Sequence, residues 1–282
     1  MIVSPEPIFE IDVADHYDEL DSFYRELWGE HVHHGLWVKG TESAESAVEG
    51  LGRLICDWGG IQAGTSVCDV GCGYGALARQ LVRETGARVT AITLSRVQYE
   101  YAKARDPGGN PQYVCGNWLN LDLSPEHFDT VIACESFEHM TDKPKAFRHA
   151  LLALRPSGKL VVCAWLASER PTNWQVRGLL QPICRDGRMP SLLSGTELVN
   201  GATQSGFQML GWEDISAKVK RTWFVVVARL ARRLLREPRY RCYLLNQRHQ
   251  NRLFALTTLQ IWLAYNLGAL RYGIFVFQRP EP

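Results

Sequence analysis

At 282 residues, 46% hydrophobic and 22% charged, the chain has the make-up of one globular domain, or one domain with an inserted lid. A net charge of +1 gives no whole-protein field to favour nucleic acid, and no apolar run approaches the roughly 20 residues of a membrane-spanning helix. Met1-Ile2-Val3-Ser4-Pro5 lacks the basic and apolar regions of a signal peptide. The eight cysteines include no Cys-x-x-Cys pair, and several sit in apolar runs such as Ile132-Ala133-Cys134. They read as small buried hydrophobes of a reducing, cytoplasmic setting rather than zinc ligands or disulfides.

The first predicted element is a helix over 12–28, with Val13, Tyr17, Leu20, Tyr24, Leu27 and Trp28 at helical spacing and Gly29 as its stop. The polar, aromatic loop His31-Val32-His33-His34-Gly35-Leu36-Trp37 follows, then a helix from Ala44 to Trp58 closed by Gly59-Gly60. From residue 66 the pattern alternates: strand 66–70, helix 76–85, strand 88–92, helix 96–104, strand 112–115, strand 128–134, helix 143–154, strand 159–164. Such alternation predicts an α/β fold, a parallel sheet with helices on both faces. Beyond Trp165 the pattern supports a helix near 195–205, a strand near 208–217, two or more helices within 222–268 and a closing strand at 273–277. The division expected is an N-terminal helical cap (1–60), a core (61–221), an inserted helical lid (222–268) and a closing strand of the core (269–282).

Between the first core strand and its helix lies Asp69-Val70-Gly71-Cys72-Gly73-Tyr74-Gly75-Ala76. Glycines there allow sharp turns and a close approach of backbone to a ligand. Gly71-x-Gly73-x-x-Ala76 alone also satisfies a dinucleotide fingerprint, and a Gly-rich turn without a ligand is the bland reading. Two features separate the cofactors. The Asp69 carboxylate suits an ammonium or sulfonium ligand and repels a pyrophosphate. The ribose-binding acid of an NAD site is expected after the second strand, where the sequence reads Ile92-Thr93-Leu94-Ser95.

The Asp69–Gly75 run resembles motif I of the seven-stranded, Rossmann-like class I S-adenosylmethionine methyltransferases. Tyr17-Asp18, Trp28-Gly29-Glu30-His31-x-His33-His34-Gly35-x-Trp37, Ile92-Thr93-Leu94-Ser95-x-x-Gln98 and Glu135-Ser136-Phe137-Glu138-His139-Met140 extend the resemblance to a branch with tocopherol methyltransferases and related small-molecule O-, N- and C-methyltransferases. It covers residues 15–165 well and the remainder loosely. The resemblance implies S-adenosylmethionine as cofactor and a small, lipophilic, natural-product-like acceptor. Gly71, Gly73 and Gly75 would line the methionine portion beside Asp69, with Glu135 approaching the same end. Thr93, Leu94 and Ser95 would border the ribose, Gln98 replacing the carboxylate found elsewhere. Asn117 and Trp118 match the adenine position, where many relatives carry an acid.

Methyl transfer from a sulfonium is an in-line displacement, so the protein mainly positions the acceptor and excludes water. Glu138 and His139, at the carboxyl end of the fourth strand, are the candidate catalytic pair; the bland alternative is an anchor for the next helix. Tyr17, His33, His34 and Trp37 are candidates for the acceptor pocket, with core packing the competing role for the aromatics. No metal site is expected of His31, His33 and His34, since no cysteine lies nearby as a further ligand. Residues 218–252 hold eleven Lys and Arg against the single acid Glu237. A solvated helical face, an anionic acceptor and peripheral docking on anionic lipid all fit that stretch. A non-catalytic S-adenosylmethionine-binding protein and an NAD-dependent oxidoreductase are the competing functions.

Overall fold

The computed structural model describes residues 1–122, 125–247, 249 and 251–281. In chain order, β1 (Ile2–Val3), α1 (Glu10–Glu19), α2 (Asp21–Leu27) and α3 (Ala44–Gly59) precede the core. The core runs β2 (Ser66–Val70), α4 (Ala76–Thr85), β3 (Arg88–Thr93), α5 (Arg96–Arg105), β4 (Gln112–Cys115), β5 (Phe128–Cys134), α6 (Lys143–Ala153) and β6 (Leu154–Ala167). Then come α7 (Asn173–Gln175), α8 (Gln181–Asp186), β7 (Ser191–Leu192), α9 (Gly195–Gln204), β8 (Gln208–Asp214) and α10 (Ser216–Val219). Last are α11 (Arg221–Arg236), α12 (Pro238–Leu245), α13 (Phe254–Asn266) and β9 (Leu270–Gln278).

Seven strands form one sheet in the order β4-β3-β2-β5-β6-β9-β8. The first five pair in parallel, and β9 runs antiparallel to both neighbours. The alternation predicts the five parallel strands, and the seven-stranded Rossmann-like α/β sheet as a whole, with β9 antiparallel, is the one the resemblance implies. Its central strands are buried on both faces, so all five residues of β2 are buried and β5 ends in the buried apolar run Val131–Cys134. One core cluster unites Leu51, Ile55 and Leu81 with Ile261 and Tyr272, and another holds Phe147, Phe207, Phe275 and Phe277.

Several boundaries differ from the sequence reading for local reasons. The helix expected over 12–28 breaks at Leu20, which caps one helix and opens the next. The strand expected to 217 stops at Asp214, whose carboxylate accepts from the backbone N–H of Ser216 and turns the chain into α10. Within 166–194, α7 continues through a π turn (Val176–Leu180) into α8, and β7 pairs antiparallel with β1. Helices α11–α13 lie between β8 and β9 in sequence and pack on α2, α8 and β9.

Candidate active site

The loop from β2 to α4 needs positive φ at three places: Gly71 (80°), Gly73 (55°) and Gly75 (75°). Their surroundings differ. A Cβ on Gly71 would meet Ser136 and one on Gly75 would meet the Tyr113 ring, whereas one on Gly73 has nothing nearer than Gln98 Nε2 at 4.0 Å. Gly73 therefore presents bare backbone to open space, and Gly75 serves packing behind the loop.

That open space is a cleft holding about 800 Å³ outside the atoms, mouth included, a size suited to a small-molecule ligand. Gly71, Gly73, Thr93, Leu94, Ser95, Gln98, Asn117, Trp118 and Glu135 all line it. The Thr93 hydroxyl donates to Gln98 Oε1 at 2.8 Å, which fixes the amide at the wall. Ser95 caps α5 by accepting from the Gln98 N–H at 3.1 Å and donates its own hydroxyl to Asp18 of α1. Asp69 is buried behind the cleft, with one carboxylate oxygen unpartnered among the described residues; burial pushes its carboxyl up to about 7. An orphaned acid, bare backbone at Gly73 and a fixed amide fit a cationic nucleoside cofactor.

Glu135 follows β5 with a φ of 52°, a strained value for a residue with a side chain. Its Oε1 accepts from the His34 backbone N–H (2.6 Å), His34 Nδ1 (2.9 Å) and the Tyr272 hydroxyl (2.8 Å); its Oε2 accepts from Trp165 Nε1 (2.8 Å). Burial pushes the carboxyl up, but the His34 contacts, with His33 nearby, more than offset this and hold it down to about 2. The Trp223 indole N–H, a donor only, points at His34 Nε2 at 2.7 Å, so that nitrogen accepts and Nδ1 carries the proton shared with Glu135. The N-terminal loop, β6 and β9 thus meet on one carboxylate, and α11 reaches it through His34.

Beside the cleft lies a second cavity, whose lining includes Trp28, His34, Glu138, Trp165, Trp223 and Phe254. Tyr17, Glu135 and His139 border both spaces. His139 sits in a 3-10 turn (Phe137–His139) that β5 feeds directly. Its Nδ1 lies 2.9 Å from the Arg188 carbonyl, which can only accept, so Nδ1 bears the proton. Nε2 is then a lone pair, and the Tyr17 hydroxyl lies 3.0 Å from it. Burial pushes the imidazole below its ordinary value, opposed by the Arg188 hydrogen bond, and pushes the Tyr17 phenol up. Glu138 accepts from the backbone N–H of Trp165 through one oxygen, while the other has no partner among the described residues. Burial pushes its carboxyl up to about 8.

Two residues expected at the acceptor pocket lie elsewhere. His33 donates through Nδ1 to the His34 carbonyl at 2.8 Å and meets His31 at 3.0 Å, lining neither space. Trp37 is buried beneath Arg221, its indole N–H near the Thr222 hydroxyl, and serves the base of α11. His33, Cys134 and Glu135 present donor atoms within 4.8 Å of one another, but the His33 nitrogens and both Glu135 oxygens are already engaged. The basic stretch also resolves. Arg229, Arg233 and Arg239 pair with Glu45, Glu26 or Glu237, and Arg241 caps the α11 carbonyls of Leu234 and Leu235. Arg248 lies outside the described residues. No arginine lines the second cavity among the described residues; Arg229, Arg232, Arg233 and Arg236 border a separate open basin with Glu26, Glu45 and Glu49.

Residues missed from sequence include Trp165, Trp223 and Phe254 of the second cavity and Arg188, whose carbonyl sets the His139 tautomer. Trp165 at the carboxyl end of a core strand was a usable signal; the others come from stretches with no clear period.

Residues 68–162 match the family described as a methyltransferase domain. The chain is 26% identical over 289 residues to the chloroplastic tocopherol O-methyltransferase of Arabidopsis thaliana, covering 95% of this chain and 82% of that protein. It is 31% identical over 216 residues to the O-methyltransferase cnsE of Penicillium expansum, covering 74% and 76%. Its fold is similar to that of the mycolic acid cyclopropane synthase CmaA1 complexed with SAH and CTAB, with a TM-score of 0.83, 18% identity and coverage of 97% and 99%.

Proposed function

Because the chain belongs to the class I S-adenosylmethionine-dependent methyltransferases, in the branch with tocopherol methyltransferases, we propose that it methylates a small lipophilic acceptor bearing a protic nucleophile. The acceptor binds in the cavity walled by Trp165, Trp223 and Phe254, beneath a lid formed by α11–α13. The observation that carries this reading is the Tyr17–His139 pair on the wall shared by the two spaces.

Bound S-adenosylmethionine supplies an electrophilic methyl group. Asp69 and the loop at Gly71 and Gly73 would hold its methionine end, Thr93, Leu94, Ser95 and Gln98 its ribose, and Asn117 with Trp118 its adenine. The carboxylate of an NAD site is missing at that corner: β3 ends at Thr93, and Asp18 is already engaged by Ser95. The Tyr17 hydroxyl holds the ring before the acceptor binds, and His139 Nε2 takes the proton of the acceptor's nucleophile once that group displaces the hydroxyl from its lone pair. Glu138, largely protonated at neutral pH, hydrogen-bonds the acceptor through its free oxygen. The apolar wall excludes water from the reacting pair. Glu135, with four donors on it, positions His34, Trp165 and Tyr272 rather than touching the reaction.

The test is His139→Gln. Turnover on an apolar phenol or alcohol is expected to collapse while the affinity for S-adenosylhomocysteine holds. Turnover surviving the change would remove His139 from the chemistry.

A further inference from the structure

Helix α13 contains no charged residue, and its apolar side chains run all the way round. One face, with Ile261 and Tyr265, is buried in the core; the opposite face leaves Leu256 61% and Leu259 54% exposed, with Leu263 beside them. An all-apolar helix is ordinarily covered on every side. Its neighbour α11 is amphipathic and arginine-rich, yet it too leaves large apolar side chains exposed, Phe224 and Leu235, beside Arg232 and Arg236. These two arginines border the same basin as Arg229 and Arg233, with Glu26, Glu45 and Glu49 across it, but unlike those two they have no ion-pair partner among the described residues.

We infer that the outer face of α11 and α13 docks on an anionic lipid surface. Exposed leucines flanked by unpaired arginines match the two components of an interfacial surface: apolar side chains enter the acyl boundary, and arginines meet the headgroups with their stems along the apolar edge. No helix among the described residues is long and apolar enough to cross a membrane, so the contact is peripheral. The interior supplies the reason for the contact. Beneath the same helices runs an apolar pocket lined by Leu230, Tyr240, Leu244 and Ala255, and it shares Tyr24, Trp28 and Phe254 with the acceptor cavity. A lipophilic acceptor dissolved in a bilayer can pass along that apolar wall to His139 without crossing water. The reason for docking rests on the lipophilic-acceptor reading, but its measurement needs no turnover.

Co-sedimentation with phosphatidylcholine vesicles, with and without phosphatidylglycerol, tests it on the full chain. The wild-type protein is expected to partition onto the anionic vesicles and to leave them as salt rises. Arg232→Ala with Arg236→Ala should lower the partition coefficient about thirty-fold. Leu256→Gln with Leu259→Gln should lower it at least about ten-fold, with S-adenosylhomocysteine binding intact as proof of folding. Wild-type protein that stays in solution, or partitions without regard to phosphatidylglycerol, overturns the inference. So does partitioning untouched by both variants. A dimer in sedimentation velocity that the leucine variant dissociates would assign the face to a second copy and overturn it as well. Docking without methyl transfer would instead count against the proposed function and leave the docking intact.

Discussion

The Tyr17 hydroxyl lies 3.0 Å from His139 Nε2, although 122 positions separate the two residues in the chain. The pair closes the wall between the cofactor cleft and the acceptor cavity, so removing either member has a distinct signature. His139→Gln is expected to lower kcat about 10²- to 10⁴-fold, the usual worth of a positioned base. Tyr17→Phe removes only the hydrogen bond that orients the ring before the acceptor binds and should change kcat/KM by no more than roughly 1 kcal/mol. Steady-state rates with both variants separate the base from the residue that orients it.

The pH profile follows from burial. In the proposed reaction His139 is the neutral base, and burial pushes its pKa below the ordinary 6.5. With S-adenosylmethionine held saturating, activity should therefore persist as pH falls to the ordinary imidazole range and drop only beneath it. An acid limb above 6.5 in the acceptor's kcat/KM, under that saturation, would not fit a buried His139.

Asp69 couples cofactor binding to pH. Its carboxyl, pushed by burial from 3.8 to about 7, must ionise to meet a cation. Affinity for S-adenosylmethionine should then rise with pH up to about 7 and level off, with proton release visible by calorimetry in buffers of different ionisation enthalpy. Asp69→Asn flattens the profile. In the free protein the sign reverses. A carboxyl raised on folding favours the folded state below its unfolded pKa of 3.8, and that contribution is lost as pH climbs through about 7.

Gln98→Ala should weaken cofactor affinity by about 1 kcal/mol if the amide meets the ribose. It also strips the Thr93 hydroxyl of its acceptor, so a small fall in Tm accompanies it. Unchanged affinity would remove Gln98 from the cofactor's neighbours.

Glu135→Gln should destabilise the fold by about 2–3 kcal/mol. Four donors converge on the carboxylate, and an amide turns its own N–H₂ toward some of them. Chemical denaturation measures the loss; a neutral substitution would mean the cage is held by packing alone.

The sheet and the cofactor cleft were legible in the sequence because each depends on short-range requirements. The β2–α4 loop needs positive φ at Gly71, Gly73 and Gly75, and the strand-helix alternation dictates where that loop opens. Gln98, which only the family resemblance singles out, lines the cleft and accepts from Thr93. The acceptor cavity was not legible in the same way. Trp223 reaches His34 across 189 positions and the Arg188 carbonyl reaches His139 across 49, and no local period encodes such meetings. The same limit explains Trp37 and His33, whose aromatic and polar character suits a pocket as well as it suits the contacts they make. It also explains the basic stretch, where composition could not separate arginines tied to Glu26 and Glu237 from Arg232 and Arg236.

The central claim is methyl transfer to an apolar, protic acceptor through His139, and one measurement reaches it. Purified protein is incubated with methyl-labelled S-adenosylmethionine and a panel of apolar phenols, alcohols and polar analogues, and label in the organic phase is counted beside calorimetric cofactor binding. Micromolar cofactor binding and label in apolar acceptors are expected for the wild type, with His139→Gln retaining the binding and losing the label. Tight binding with no label in any acceptor, or label confined to the polar analogues, would contradict the claim.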